Sequence, residues 1–129
     1  MYKTTKKDFE LFKEYFNSYL VKLGLSFDVQ FYHSNHKDVP FLDFVDSVDT
    51  MKSRFAQVTM NDDTFNIKVY LFKEHVEEVT KENIKKYALH EACHILIAQL
   101  RKVAKAQMEG KRVEGIEEAL VEKLTNLLI

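Results

Sequence analysis

The chain has 129 residues, 46% of them hydrophobic, with ten Phe, six Tyr, three Gly and one Pro. That is the composition of one globular domain with few flexible linkers, and it argues against disorder and against two ordinary domains. Nineteen basic and twenty acidic residues leave a net charge of −1, so no bulk charge draws the chain to nucleic acid or to an anionic membrane, and the short Lys3, Lys6, Lys7 cluster does not change this.

Residues Lys6 to Leu23 place Phe9, Phe12, Phe16, Tyr19, Leu20 and Leu23 at helical spacing, with Gly24 as a stop. Ser26 to Tyr32 alternates, Phe27, Val29 and Phe31 against Asp28, Gln30 and Tyr32, the period of a half-buried strand. Pro40 to Asp49 suits either a short helix with Pro40 in its first turn or an irregular edge. Arg54 to Met60 and Phe65 to Phe72 both alternate around the turn formers Asn61-Asp62-Asp63-Thr64, which predicts a β-hairpin.

Thr80 to Gln107 holds no Gly or Pro and opens with an N-cap candidate, Thr80, and an acidic Glu82. Ile84, Tyr87, Ala88, Leu89, Ile95, Leu96, Ala98 and Leu100 then mark a long, largely buried helix. Lys105 to Gly115 is polar and carries Gly110 and Gly115, so a turn is expected there and a last helix from Val113 or Ile116 to Ile129. The fold class is α+β: residues 1–129 form a single domain in which helices pack on a small antiparallel or mixed sheet. One Cys excludes an internal disulfide. No apolar run reaches the roughly 18 residues of a membrane span, and Met1 to Glu10 is charged rather than signal-like, so a cytoplasmic protein with no membrane partner is expected.

The long helix carries His90-Glu91-Ala92-Cys93-His94, an HExxH pattern. Two histidines four apart share one helical face, where both imidazoles reach a single Zn²⁺ and the glutamate stands beside the metal's open side. With 5 His and 12 Glu, chance alone produces the pattern in roughly 2 of 100 shuffled sequences, so the helical context is needed to support it. A catalytic zinc takes three protein ligands and keeps a fourth position for water, so one more donor is required. The last helix offers Glu114, Glu117, Glu118 and Glu122. Helical projection puts Glu117 at the centre of a stripe of Val113, Leu120, Val121, Leu124 and Leu128, where a carboxylate needs a partner.

These residues resemble the gluzincin-type zinc metallopeptidases, in particular small bacterial and phage forms akin to the ImmA/IrrE group. Such proteins have HExxH on one helix and, on the next, a glutamate ligand opening an ExxA-like or ExxS-like stretch with an acidic or amide residue four positions on. Glu118-Ala119-Leu120-Val121-Glu122 fits that register better than a frame starting at Glu117. The resemblance covers roughly the last 50 residues. It implies a zincin-like domain holding one Zn²⁺ through His90, His94 and Glu118, with Glu91 as general base, hydrolysing a peptide or protein substrate in the cytoplasm, in a bacterial form or a phage-encoded one made in the host. It makes Glu122 a candidate partner for a ligand imidazole. Cys93 departs from the Gly that many relatives carry before the second histidine, and no segment reads as the helix-turn-helix domain often joined to such peptidases.

Tyr87, three residues before His90 on the same face, is expected to pack in the core, with donation to a developing oxyanion as its functional alternative. His33, His36 and His75 lack Cys or acidic partners at useful spacing and are expected to be ordinary polar residues, and Cys93 a small buried hydrophobe. In zincin-like peptidases the sheet edge beside the active-site helix holds the peptide by strand addition, and that edge would come from Arg54 to Met60 or Phe65 to Phe72. The rival to an enzyme is a non-enzymatic, zinc-containing interaction module, regulatory or phage-related. An intact Glu91 weighs against it, because a structural site needs no general base.

Overall fold

The computed structural model describes residues 1–38, 54–60, 66–105 and 110–128, and in the last two helices the side chains up to 98 and from 118 onward except 127. The first helix, α1 (Lys6–Lys22), begins at a reciprocal capping box, in which the Thr5 hydroxyl accepts from the Asp8 N–H and the Asp8 carboxylate accepts from the Thr5 N–H. Two of the orphan donors of the first turn are satisfied this way. It ends with Leu23 as cap and Gly24 at φ +72°, and the Leu25 N–H reaches the Leu20 carbonyl while the Gly24 N–H reaches that of Val21. Only glycine adopts that left-handed turn without a Cβ penalty.

Among the described residues five strands follow the expected α+β plan, with two additions. A three-stranded mixed sheet has the order β2-β4-β3: β2 (Val29–Ser34) runs parallel to the central β4 (Ile67–Phe72), and β3 (Ala56–Met60) runs antiparallel to it, from Ala56 opposite Leu71 to Met60 opposite Ile67. The hairpin strands are therefore present, while the turn residues 61–64 and the segment Pro40–Asp49 lie outside the described residues. β2 starts three residues later than its alternation predicts, and Phe27 packs against the core from the loop before it. A second sheet, too short to show a period, pairs β1 (Tyr2–Lys3) with β5 (Glu74–His75), Tyr2 opposite His75.

The helix α2 (Lys81–Lys105) is capped by Thr80, whose hydroxyl accepts from the Asn83 N–H at 3.0 Å. α3 (Gly110–Leu128) begins before the expected position and runs straight through Gly115. An interior glycine costs a helix about 1 kcal/mol relative to alanine, which lowers helix stability without ending it. Ile67, Val69 and Leu71 of β4 turn one sheet face to α1 and α2, where Phe12, Phe16, Ile84, Ala88 and Ala92 complete a single core. Ala88 and Ala92 are small enough for the large rings of the core to settle over α2. The second sheet face is covered as well: Phe72 is fully buried with its ring stacked on His36 at 4.0 Å, and Tyr70 stacks on Tyr32 at 5.2 Å.

The apolar stripe expected on α3 is met in part, through Val121 and Leu124, which pack on the core. Val121 and Thr125 are fully buried, whereas Leu120 and Leu128 are 40% and 52% exposed. The buried face of α3 runs through positions 121 and 125, with Leu124 half-buried beside them, because α2 contacts the helix from that side and Cys93 of α2 meets Thr125. No helix among the described residues is long and apolar enough to cross a membrane.

Candidate metal centre

At about 100° per residue, α2 divides into sectors. Ile84, Ala88, Ala92 and Ile95 enter the main core, and Leu89, Cys93 and Ile97 fill a second buried flank. Tyr87, His90 and His94 are left half-buried on the remaining sector, with Glu91 at its edge and only 5% exposed. This sector lies between α3 and the start of β3. Donor atoms of His90, Glu91 and His94 fall within 4.8 Å of one another.

Two carboxylates from α3 each face one of the histidines. Glu118 Oε1 lies 3.1 Å from His94 Nε2, and Glu122 Oε1 lies 3.1 Å from His90 Nδ1. The four-residue step from Glu118 to Glu122 matches the step from His90 to His94, so two facing helices bring two pairs together, one turn apart. The structure thus places Glu118 and Glu122 beside the histidines. The side chain of Glu117 lies outside the described set.

The His94 imidazole that donates to Glu118 holds that carboxyl below its ordinary value. Partial burial opposes this, and the nearby charges of His94, His90 and Arg54 reinforce it. Glu118 is thus kept anionic, the form a cation requires. Arg54, at the entry to β3, is a neighbour that no sequence spacing connects to Glu118.

One edge of the donor set matches a zinc ion. With bonds of about 2.0–2.2 Å, adjacent ligand atoms of a tetrahedral zinc stand roughly 3.3–3.5 Å apart. The Nε2 to Oε1 distance of 3.1 Å between His94 and Glu118 is within a few tenths of that edge. His90 turns Nδ1 to Glu122, which leaves Nε2 as its lone-pair nitrogen, the arrangement in which an outer carboxylate orients a ligand imidazole. His90, His94 and Glu118 could hold the ion, and Glu91 would then stand next to it.

The remaining expected positions separate from this group. Tyr87 stacks on Phe55 with ring centroids 4.8 Å apart and donates its hydroxyl proton to Glu77; burial first, then the Glu77 carboxylate, pushes the phenol far above its ordinary value. Its ring centroid is 6.4 Å from that of His90. Cys93 is fully buried, and burial raises its thiol pKa. His33, His36 and His75 sit in β2, the turn after it and β5, outside the His90, Glu91 and His94 group, and of the three His36 and His75 are buried. The Glu77–Tyr87 contact was not legible in advance, because it joins a loop to a helix ten residues on and follows no periodic rule.

Among the described residues β3 is an edge strand and β4 is central, so of the two hairpin strands β3 offers an edge there, and it contacts α2. No protein-family model, no curated protein and no solved structure matches the chain.

Proposed function

We propose that this chain is a zinc-dependent peptidase, a minimal zincin-like domain of the gluzincin type. The observation that carries the reading is the cluster of His90, Glu91 and His94 on one helix face, with Glu118 of a second helix 3.1 Å from His94 Nε2. Zn²⁺ held by His90, His94 and Glu118 would supply Lewis acidity, acidifying a water and polarising a peptide carbonyl.

The chain's own residues supply the rest. Glu91 accepts the proton of the water whose oxygen adds to the scissile carbonyl carbon, then returns it to the amine nitrogen as the C–N bond breaks. Its 5% exposure keeps that carboxylate away from bulk water. Glu122 fixes the His90 ring by accepting from Nδ1, and so selects which nitrogen carries the lone pair. Edge strand β3 binds an extended peptide by main-chain pairing, which needs few side-chain matches.

The test is a metal and cleavage comparison. The wild-type protein should hold about one zinc per chain, and Glu91→Gln should keep the zinc and lose cleavage in a proteome-wide comparison of peptide termini. A protein that takes up no zinc under metal-replete conditions sinks the reading. Zinc without cleavage, and without binding of a small hydroxamate, would point instead to a non-enzymatic zinc-containing interaction module.

A further inference from the structure

His75 is fully buried on a strand of two residues, and neither of its ring nitrogens makes a hydrogen bond of ordinary geometry. Its ring lies against Phe55 with centroids 4.0 Å apart, and the other side of the local stack is the Phe55–Tyr87 pair at 4.8 Å. A neutral imidazole tolerates such a place at the cost of unpaired polar atoms. An imidazolium, with two N–H donors and a full charge, does not.

The anion that acts on the ring is Glu77, two residues on. Glu77 influences His75 through both its backbone and its carboxylate, yet that carboxylate is engaged elsewhere, as acceptor for the Tyr87 hydroxyl. Among the described residues the other titratable group facing the ring is His36, from the turn after β2, whose charge disfavours a second charge on His75. Lys3 and Glu74 pair with each other at 3.8 Å on the exposed rim of the same two-stranded sheet.

That sheet is weakly held. Its ladder has two residue pairs, and beyond them the N-terminal segment is tied through Thr4, whose N–H reaches the Lys73 carbonyl at 2.9 Å and whose hydroxyl donates to the Phe72 carbonyl at 2.7 Å. His33 Nε2 lies 2.8 Å from the same hydroxyl and must therefore be its donor, a bond that survives protonation of His33.

We infer that His75 is an acid-operated latch: when its ring takes up a proton, the Glu77 carboxylate leaves the Tyr87 hydroxyl for the imidazolium, and the β1–β5 ladder opens. Glu77 is the two-position element, with a phenol as partner in one state and a cation in the other. Burial sets the direction by lowering the proton affinity of His75, with Glu77 opposing. The folded state therefore holds fewer protons at this site than the unfolded chain. The closed state is fully favoured above the ordinary histidine value of 6.5 and is lost as pH falls below it.

The test uses the full, metal-free chain and protons alone. Amide exchange, corrected for intrinsic rates, is followed at Thr4 and at Glu74 to Glu77 alongside the NMR titration of the His75 ring. Between about pH 7.5 and about pH 5.5 protection at these amides should drop about tenfold or more, while the amides of α1 keep theirs. His75→Phe retains a stacking ring and should remove the response. Glu77→Gln, which leaves the fold in place if the first variant does not, should move the midpoint to lower pH. The inference is overturned by a flat wild-type profile, by an unchanged acid response in His75→Phe, or by an unmoved midpoint in Glu77→Gln. Neither metal content nor cleavage is read, so failure of the peptidase reading and failure of the latch give different results.

Discussion

Removing the Glu122 carboxylate tests the division of labour between the two α3 glutamates. Glu122 touches His90 at Nδ1, 3.1 Å away, and its side chain is 56% exposed, so water screens the contact and can partly replace it. Loss of an outer partner of a ligand imidazole costs about 10–100-fold in metal affinity, and the exposure of Glu122 places Glu122→Ala near the lower end, about tenfold or about 1.4 kcal/mol. Glu118→Gln removes a direct donor and should cost more than Glu122→Ala. Glu91→Gln should leave affinity within about twofold, since its role is with the proton and not the ion. Competition against a chromophoric zinc chelator near neutral pH measures all three. Thermal melts of the metal-free variants provide the control, because an exposed ion pair contributes under about 1 kcal/mol to the fold itself. The reasoning fails if Glu122→Ala binds zinc as tightly as wild type, or if Glu118→Gln does so while Glu117→Gln loses the ion.

Four further outcomes are expected. Thr80→Ala removes the acceptor of the Asn83 N–H and should lower stability by about 1 kcal/mol, read by urea denaturation. Phe16→Ala empties a fully buried position and should cost about 3–5 kcal/mol in the same assay. Cys93, buried and with its thiol pushed above the ordinary value, should resist Ellman's reagent in the native protein and react once denaturant is added. Burial lowers the proton affinity of both His33 and His75, so chemical denaturation of the metal-free chain should show stability falling as pH drops below the ordinary histidine value of 6.5; a curve that rises instead would contradict both burial assignments.

Local signals were readable because they concern residues a turn apart. The Phe12 and Phe16 spacing, Gly24 as a stop, Thr80 as a cap and the His90, His94 pair each need only helical geometry, and α1 and α2 form within two residues of the expected bounds. The approach of Glu118 to His94 depends on how two helices dock. A wheel drawn on α3 alone groups Leu120 and Leu128, which the fold leaves exposed, with Val121, which it buries, and passes over the buried Thr125. Gly115 was read as a turn because propensity was given more weight than the packing that carries α3 through it. The burial of His75 was hidden for a different reason: a two-residue strand has no period, and a histidine between charged neighbours looks solvated.

Val121, fully buried one turn after Glu118 and directly before Glu122, gives the helix pair a mechanical character. With its neighbour Thr125 it keys α3 against α2, so the rotational setting of both carboxylates is fixed by a residue that carries no charge and touches no ion. A turn of α3 by one residue, about 100°, would carry Glu118 and Glu122 away from the histidines together. The two acidic contacts therefore depend together on one apolar residue, and in the proposed metal centre a substitution at this valine would disturb both.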